Sequence, residues 1–142
     1  MSIEQVREFF DGDAPGFVKL IGLKLGACTK ERVEATLAAR PELSNRAGVM
    51  HGGAIMALAD TLGGAGTIAN LPEGASTVTI ESKTNFFAAI PVGDTARAEC
   101  TPLHRGRTTM VWQTKIVRDD GKLAAVVTQT QLVIRAQDAR RA

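Results

Sequence analysis

One acidic residue, Asp60, stands alone in the run Ala54–Ala69, where Ile55, Met56, Leu58, Leu62 and Ile68 lie among alanines with no proline and no other charge. An ionised carboxylate inside an apolar helix costs several kcal/mol of desolvation unless it is paired or hydrogen-bonded. On the same helical face, three and four residues away, lie Met56, Ala57, Gly63 and Gly64, none of which can neutralise it. An unpaired carboxylate of this kind suits a general base or a nucleophile. The plainer alternative is a tertiary partner such as an arginine. Gly63 and Gly64 each weaken a helix by about 1 kcal/mol relative to alanine, so close approach of another backbone or a ligand is expected there.

A second feature, His51-Gly52-Gly53, stands where that helix must begin. Unpaired backbone N–H groups and the positive end of the helix dipole converge at such a terminus, and two glycines leave the amides uncovered. These amides could polarise a carbonyl and stabilise the oxyanion formed when it is attacked, an effect worth about 3 kcal/mol per donor. The alternative is a glycine-softened helix start that binds nothing. Asp60 is separated from Gly53 by roughly 10 Å along a helix axis, at 1.5 Å per residue. One carbonyl cannot readily touch both, so the simplest joint site sets Asp60 of one subunit beside the helix start of another across a two-fold axis.

The elements that must hold these groups follow from periodicity. Ser2 as N-cap, then Glu4, Gln5, Val6, Phe9 and Phe10, predicts a short amphipathic helix ending near Gly12. Phe17–Cys28 and Arg32–Ala39 read as two antiparallel strands, and residues 40–53, with Pro41, Ser44, Asn45, Gly48, Gly52 and Gly53, as a loop. Ala54–Ala69 predicts a helix buried on nearly every side. Beyond Leu71-Pro72-Glu73-Gly74, period-two segments rich in Thr and Val run over Ser76–Phe87, Asp94–His104, Arg107–Arg118 and Lys122–Ile134. Arg105-Gly106 and Asp119-Asp120-Gly121 are short enough for hairpins. A polar tail, 137–142, closes the chain. Layer logic makes this α+β, an antiparallel sheet wrapped around one long helix, in a single domain over 1–142 that opens with an N-terminal helical segment, 1–15.

Composition narrows the function classes. The chain has 142 residues, 44% apolar and 23% charged, which suits one soluble globular core. Aromatic residues are only 4% and the net charge is +2, so neither base-stacking platforms nor a polybasic arm for nucleic acid or membrane is expected. Cys28 and Cys100 lie in no Cys-x-x-Cys motif and in no metal-ligand spacing with His51 or His104, and read as reduced core thiols. The opening residues lack a secretory pattern and no apolar stretch is long enough to span a bilayer, so a cytoplasmic protein is expected.

The order and spacing Asn45-x5-His51-Gly52-Gly53-x6-Asp60 resembles the motif of the phenylacetate-degradation-type thioesterases of the hotdog superfamily, and the likeness extends from near Phe17 to Ile134. The resemblance implies a hotdog fold, hydrolysis of acyl-CoA thioesters, and a homodimer with a continuous sheet, usually paired into a tetramer. It assigns Asp60 as general base or nucleophile, Gly53 or Gly52 as the oxyanion amide, and Asn45 as a side-chain amide orienting the water or the carbonyl. His51 is either a neutral donor or a brace of the helix start. A hydroxyl on the following strand should face the acid, at Thr79 or, with a slip of register, Thr77. Cations must meet the phosphates of CoA, with Arg105, Arg107 and Lys83 as candidates and Arg46 beside them. An apolar acyl pocket is expected from Met56, Phe86, Phe87, the segment around Phe9 and Phe10, and the partner subunit. No metal or redox cofactor is implied, because CoA is part of the substrate.

Two rivals share the fold. A hotdog enoyl-CoA hydratase or dehydratase abstracts a proton beside the carbonyl with a His–acid pair. A non-catalytic acyl-CoA-binding protein keeps the pocket without the chemistry, although a binder gains nothing from a costly buried carboxylate.

Overall fold

The computed structural model describes residues 3–12 and 16–135, apart from the side chain of Phe9. The expected N-cap Ser2 and the polar tail lie outside these residues, as does any lining role of Phe9. The chain begins with helices α1 (Ile3–Asp11) and α2 (Gly16–Ile21), followed by strands β1 (Lys24–Cys28) and β2 (Val33–Ala38). A 3-10 turn at Pro41–Leu43 leads to the long helix α3 (Gly52–Ile68). The remaining strands are β3 (Ser76–Phe86), β4 (Thr95–Arg105), β5 (Thr109–Val117) and β6 (Leu123–Ile134).

All six strands form one sheet in the order β1-β2-β4-β5-β6-β3, antiparallel throughout. It curls around α3 in the hotdog arrangement. Small inward residues on the strands, Ala35, Ala96, Ala98 and Ala125, let the helix settle close to the sheet, against its own Ile55, Leu58, Ala59 and Leu62. Trp112 of β5 fills the far end of this interface. A Cβ on Gly66 would lie 2.9 Å from its ring, so only glycine admits it. The Trp112 indole N–H donates to Thr67 Oγ1 at 2.8 Å, which in turn donates to the Gly63 carbonyl.

The sequence expectation fails in the first half of Phe17–Cys28, which is helical. Val18 and Ile21 recur at helical spacing and are both buried. Gly22, at φ +76, then closes the helix: Leu23 N–H bonds the Val18 carbonyl and Gly22 N–H that of Lys19. A second correction concerns α3. The sheet covers only one side of it, and a stripe through Gly53, Met56 and Asp60 is exposed, so Asp60 is not a buried carboxylate in the single chain.

Beside that stripe runs β3, an edge strand whose outward residues include exposed Val78 and Ile80. Its pairing with β6 slips between Thr79 and Glu81, a bulge that bends the strand. Thr77 and Thr79 face α3 before it, and the Ser82 and Thr84 hydroxyls are buried after it. No helix among the described residues is long and apolar enough to cross a membrane.

Candidate active site

Asp60 and Thr79 meet. The Thr79 hydroxyl donates to Asp60 Oδ1 at 2.8 Å, so the expected register, and not the slip to Thr77, places a hydroxyl on the acid. Two residues that sequence reasoning missed complete the setting. Gln131 Nε2 donates to Thr79 Oγ1 at 2.7 Å, and its Oε1 accepts from Thr77 Oγ1 at 3.0 Å. Gln129 Nε2 stands 3.4 Å from both the backbone O and Oδ1 of Asp60. Both glutamines are 1% exposed. Gly63 is explained by Gln129: a Cβ there would fall 2.3 Å from the carboxamide carbon.

Asp60, Thr79 and Gln131 form the polar wall of a cleft of about 270 Å³. Its apolar lining comes from Val6 and Phe10 of α1, Val18 of α2, Ala65 and Ile68 of α3, and Val78 of β3. On the single chain Met56 lies on the open stripe, and Phe86 and Phe87 line a second cleft with Gly52 and Ile55. Gly64 also borders the cleft beside Asp60, and a Cβ on it would touch nothing within 4 Å.

The remaining motif residues gather at the start of α3. His51 is the N-cap, and its Nδ1 accepts the Gly53 N–H at 2.8 Å. The imidazole thus braces the helix start, and a neutral ring bonded in this way carries its hydrogen on Nε2. Because the Gly53 amide is spent on His51, it cannot serve as the oxyanion donor in this arrangement. Gly52 N–H has no partner among the described residues, although the Phe86 ring lies over it, 3.1 Å from where a Cβ would be. Asn45 is tied into a tight turn, with its Oδ1 accepting Ala47 N–H at 2.9 Å and its carbonyl accepting Gly48 N–H, where φ is +71. Bonds from Met50 N–H to the Ile90 carbonyl and from His51 N–H to that of Leu43 stitch this loop down and set the angle at which α3 begins.

Two clusters therefore exist on one chain, the acid with its threonine and the helix start with Asn45, and the rise per residue holds them roughly 10 Å apart. The candidate cations are scattered. Arg105 reaches the Lys30 carbonyl, Glu31 and Asn70 Oδ1 and so braces the C-terminal end of α3. Lys83 donates to Asn85 Oδ1 at 2.7 Å. Exposed Arg107 and Arg46 have no partner among the described residues.

Other reactive groups are quiet. Burial pushes the Cys100 thiol up to about 11 and raises that of Cys28, so both stay protonated and non-nucleophilic. No cluster of three or more His, Cys, Asp or Glu able to hold a metal occurs among the described residues.

Residues 47–125 match the model of the Thioesterase superfamily. A candidate esterase of Haemophilus influenzae is 34% identical over 118 residues, covering 82% of this chain and 84% of that protein. The crystal structure of the thioesterase HI1161 from Haemophilus influenzae superposes with a TM-score of 0.84 at 28% identity, covering 92% of this chain and 90% of that one. The smu.793 protein of Streptococcus mutans, solved bound to acetyl CoA, superposes with a TM-score of 0.74 at 28% identity, covering 80% of this chain and 91% of that one.

Proposed function

The chain belongs to the thioesterase superfamily and is a thioester hydrolase, and from that premise we propose that its substrates are acyl-CoA esters cleaved at Asp60. The observation that carries this reading is the threonine-held carboxylate of Asp60 on the wall of an otherwise apolar cleft. The acyl group lies in that cleft, whose lining suits an apolar medium-chain or aryl group. As general base, Asp60 takes a proton from water while the water oxygen attacks the thioester carbonyl; the tetrahedral oxyanion then collapses, the C–S bond breaks, and the thiolate leaves with the proton that Asp60 held. As nucleophile, the same carboxylate attacks the carbonyl and expels the thiolate, leaving a mixed anhydride that water opens to the free acid and the regenerated carboxylate, with the proton released going to the thiolate. Both routes need an oxyanion donor.

That donor comes from a second copy of the chain. Asp60 and the helix start are too far apart to share a carbonyl on one subunit, while the open stripe of α3 and the β3 edge, with its exposed Val78 and Ile80, give a second subunit a surface to cover. Gly52, whose amide has no partner among the described residues, is favoured over Gly53, and the Nδ2 of Asn45 from the same partner loop orients carbonyl or water. Two such dimers pair into a tetramer. Of the cations, Arg107 and Arg46, both exposed and without a partner among the described residues, remain open to a CoA phosphate. Free, buried Cys28 and Cys100 suit the reducing cytoplasm.

Thiol release from short-, medium- and aryl-acyl-CoA esters, followed with a chromogenic disulfide, is expected from the wild-type protein and strongest with apolar acyl groups. Binding of CoA esters without thiol release would favour the sensor, and hydration of an enoyl-CoA the hydratase. Shared sites have their own signature. Gly52→Pro removes an N–H at the first helical position, where the backbone tolerates proline once the Phe86 ring shifts by a few tenths of an ångström, and should inactivate, as should Asp60→Asn. Refolding equal amounts of these two inactive variants together is expected to restore about a quarter of wild-type activity, since half the dimers are mixed and each has one intact site. No recovery would place each site within a single subunit.

A further inference from the structure

Gln131 has no place in the expected catalytic set, yet its position is unusual. It faces inward on β6 between Gln129 and Val133, in the phase that also buries Ala125 and Val127, where an aliphatic side chain would carry no polar cost. A buried carboxamide is costly unless it is hydrogen-bonded. Here the partners come from one strand: Gln131 sits directly across from Thr79 and donates to its hydroxyl, and its Oε1 lies 3.0 Å from the Thr77 hydroxyl, which also stands 2.9 Å from the Leu132 carbonyl.

A threonine hydroxyl has one hydrogen. With its oxygen receiving the Gln131 N–H, Thr79 must send that hydrogen elsewhere, and Asp60 Oδ1 is the acceptor at 2.8 Å. The bond therefore has an imposed direction. An aspartate turns easily about its terminal torsion, which is broad and two-fold, so a carboxylate on an exposed stripe needs an external hold to keep one oxygen presented. Thr79, aided at longer range by Gln129, occupies Oδ1. Oδ2 has no hydrogen-bond partner among the described residues.

We propose that Gln131 is a positioning residue: it orients the Thr79 hydroxyl, which holds Asp60 by Oδ1 and leaves Oδ2 free for the water or the thioester. This rests on Asp60 being the reacting acid. Gln131 reaches the acid through Thr79 and makes no hydrogen bond to the carboxylate itself. Misplacing a reacting group by a fraction of an ångström to 1 Å typically costs roughly 10-fold to 100-fold in rate.

The test is a double-mutant cycle on the thiol-release assay. Gln131→Glu keeps the shape but offers Thr79 an acceptor in place of a donor, drawing its hydrogen away from Asp60. Gln131→Met, apolar and of similar length, covers the case in which a buried glutamate disturbs folding. Each is expected to lower kcat about 10-fold or more with KM changed less than about threefold, because the apolar lining that holds the acyl group is unchanged. In a Thr79→Val background, Gln131→Met is expected to lower kcat by less than about twofold further. Undiminished kcat in Gln131→Met, or the same loss with and without Thr79, overturns the proposal. Crystal structures give a readout that needs no activity: the Thr79 Oγ1 to Asp60 Oδ1 separation should exceed hydrogen-bonding distance in Gln131→Glu, and an unchanged contact overturns the proposal too. If Asp60→Asn keeps full activity while that contact breaks, the assignment of the acid fails and the orienting role of Gln131 stands.

Discussion

Asp60→Asn is expected to lower kcat by about 100-fold or more, at least about 2.7 kcal/mol in the activation barrier, without loss of fold. Asparagine has the same shape, and its carbonyl oxygen can accept from Thr79 as the carboxylate oxygen does, so the contact at 2.8 Å survives. The side chain is on the exposed stripe of α3, which limits any effect on stability. What is lost is the basic, nucleophilic oxygen: an amide neither takes a proton from water near neutral pH nor attacks a thioester. Initial rates of thiol release, with circular dichroism as the control for folding, decide the matter. Activity within about threefold of wild type would mean that another group activates the water.

Trp112→Ala is expected to produce the largest loss of stability. The indole is 0% exposed, is wedged against the bare backbone of Gly66, and ends in a hydrogen bond to Thr67. Truncation leaves a cavity between α3 and β5 that glycine cannot fill, and removes the partner of a buried hydroxyl that still has the Gly63 carbonyl as its acceptor. Aromatic-to-alanine changes in such cores cost about 3–5 kcal/mol, which for a domain of this size lowers the melting temperature by roughly 10–15 °C. Trp112→Phe, retaining a ring but no N–H, should lose about half as much. Differential scanning calorimetry at fixed protein concentration checks both. A shift of under about 3 °C for the alanine variant would show that the helix and sheet close over the gap.

Much of this was legible because the relevant signals are local. Alternating Thr and Val marked the strands of the C-terminal half, glycines and aspartates marked the hairpins, and a lone charge in an apolar run singled out Asp60. Thr79 was reached through the family likeness, and the fold brings it to the acid. Other features depend on neighbours distant in sequence. Val18 and Ile21 share a helical face, but a single turn of helix is too short to compete with the strand-like run that follows it. Alanine and glycine on α3 hid which side the sheet would leave open. Gln129 and Gln131 looked like the polar half of an alternating strand. Yet they stand in the same odd-numbered phase as Ala125, Val127 and Val133, and counting that phase would have placed them inside. On the single chain the cleft beside Asp60 is roofed by the N-terminal helices, while Phe86 and Phe87 lie with Gly52 at the helix start.

The bulge at Ile80 has a consequence for how the strand can change length. In a regular strand, the residues sharing a face with Thr77 and Thr79 would be Glu81, Lys83 and Asn85, which would drive two charges under α3. The bulge absorbs one residue, so Ser82 and Thr84 face inward instead. Ile80 is thus a spare link. Deleting it would restore plain pleating with every inward hydroxyl still inward, so this segment can gain or lose one residue over evolutionary time without turning itself inside out. A deletion at Val78 or Lys83, inside a regular half, would reverse the facing of what lies between it and the bulge. Relatives that differ in length by one residue in this strand are therefore expected to differ at the bulge, and their threonines should be aligned by facing rather than by count.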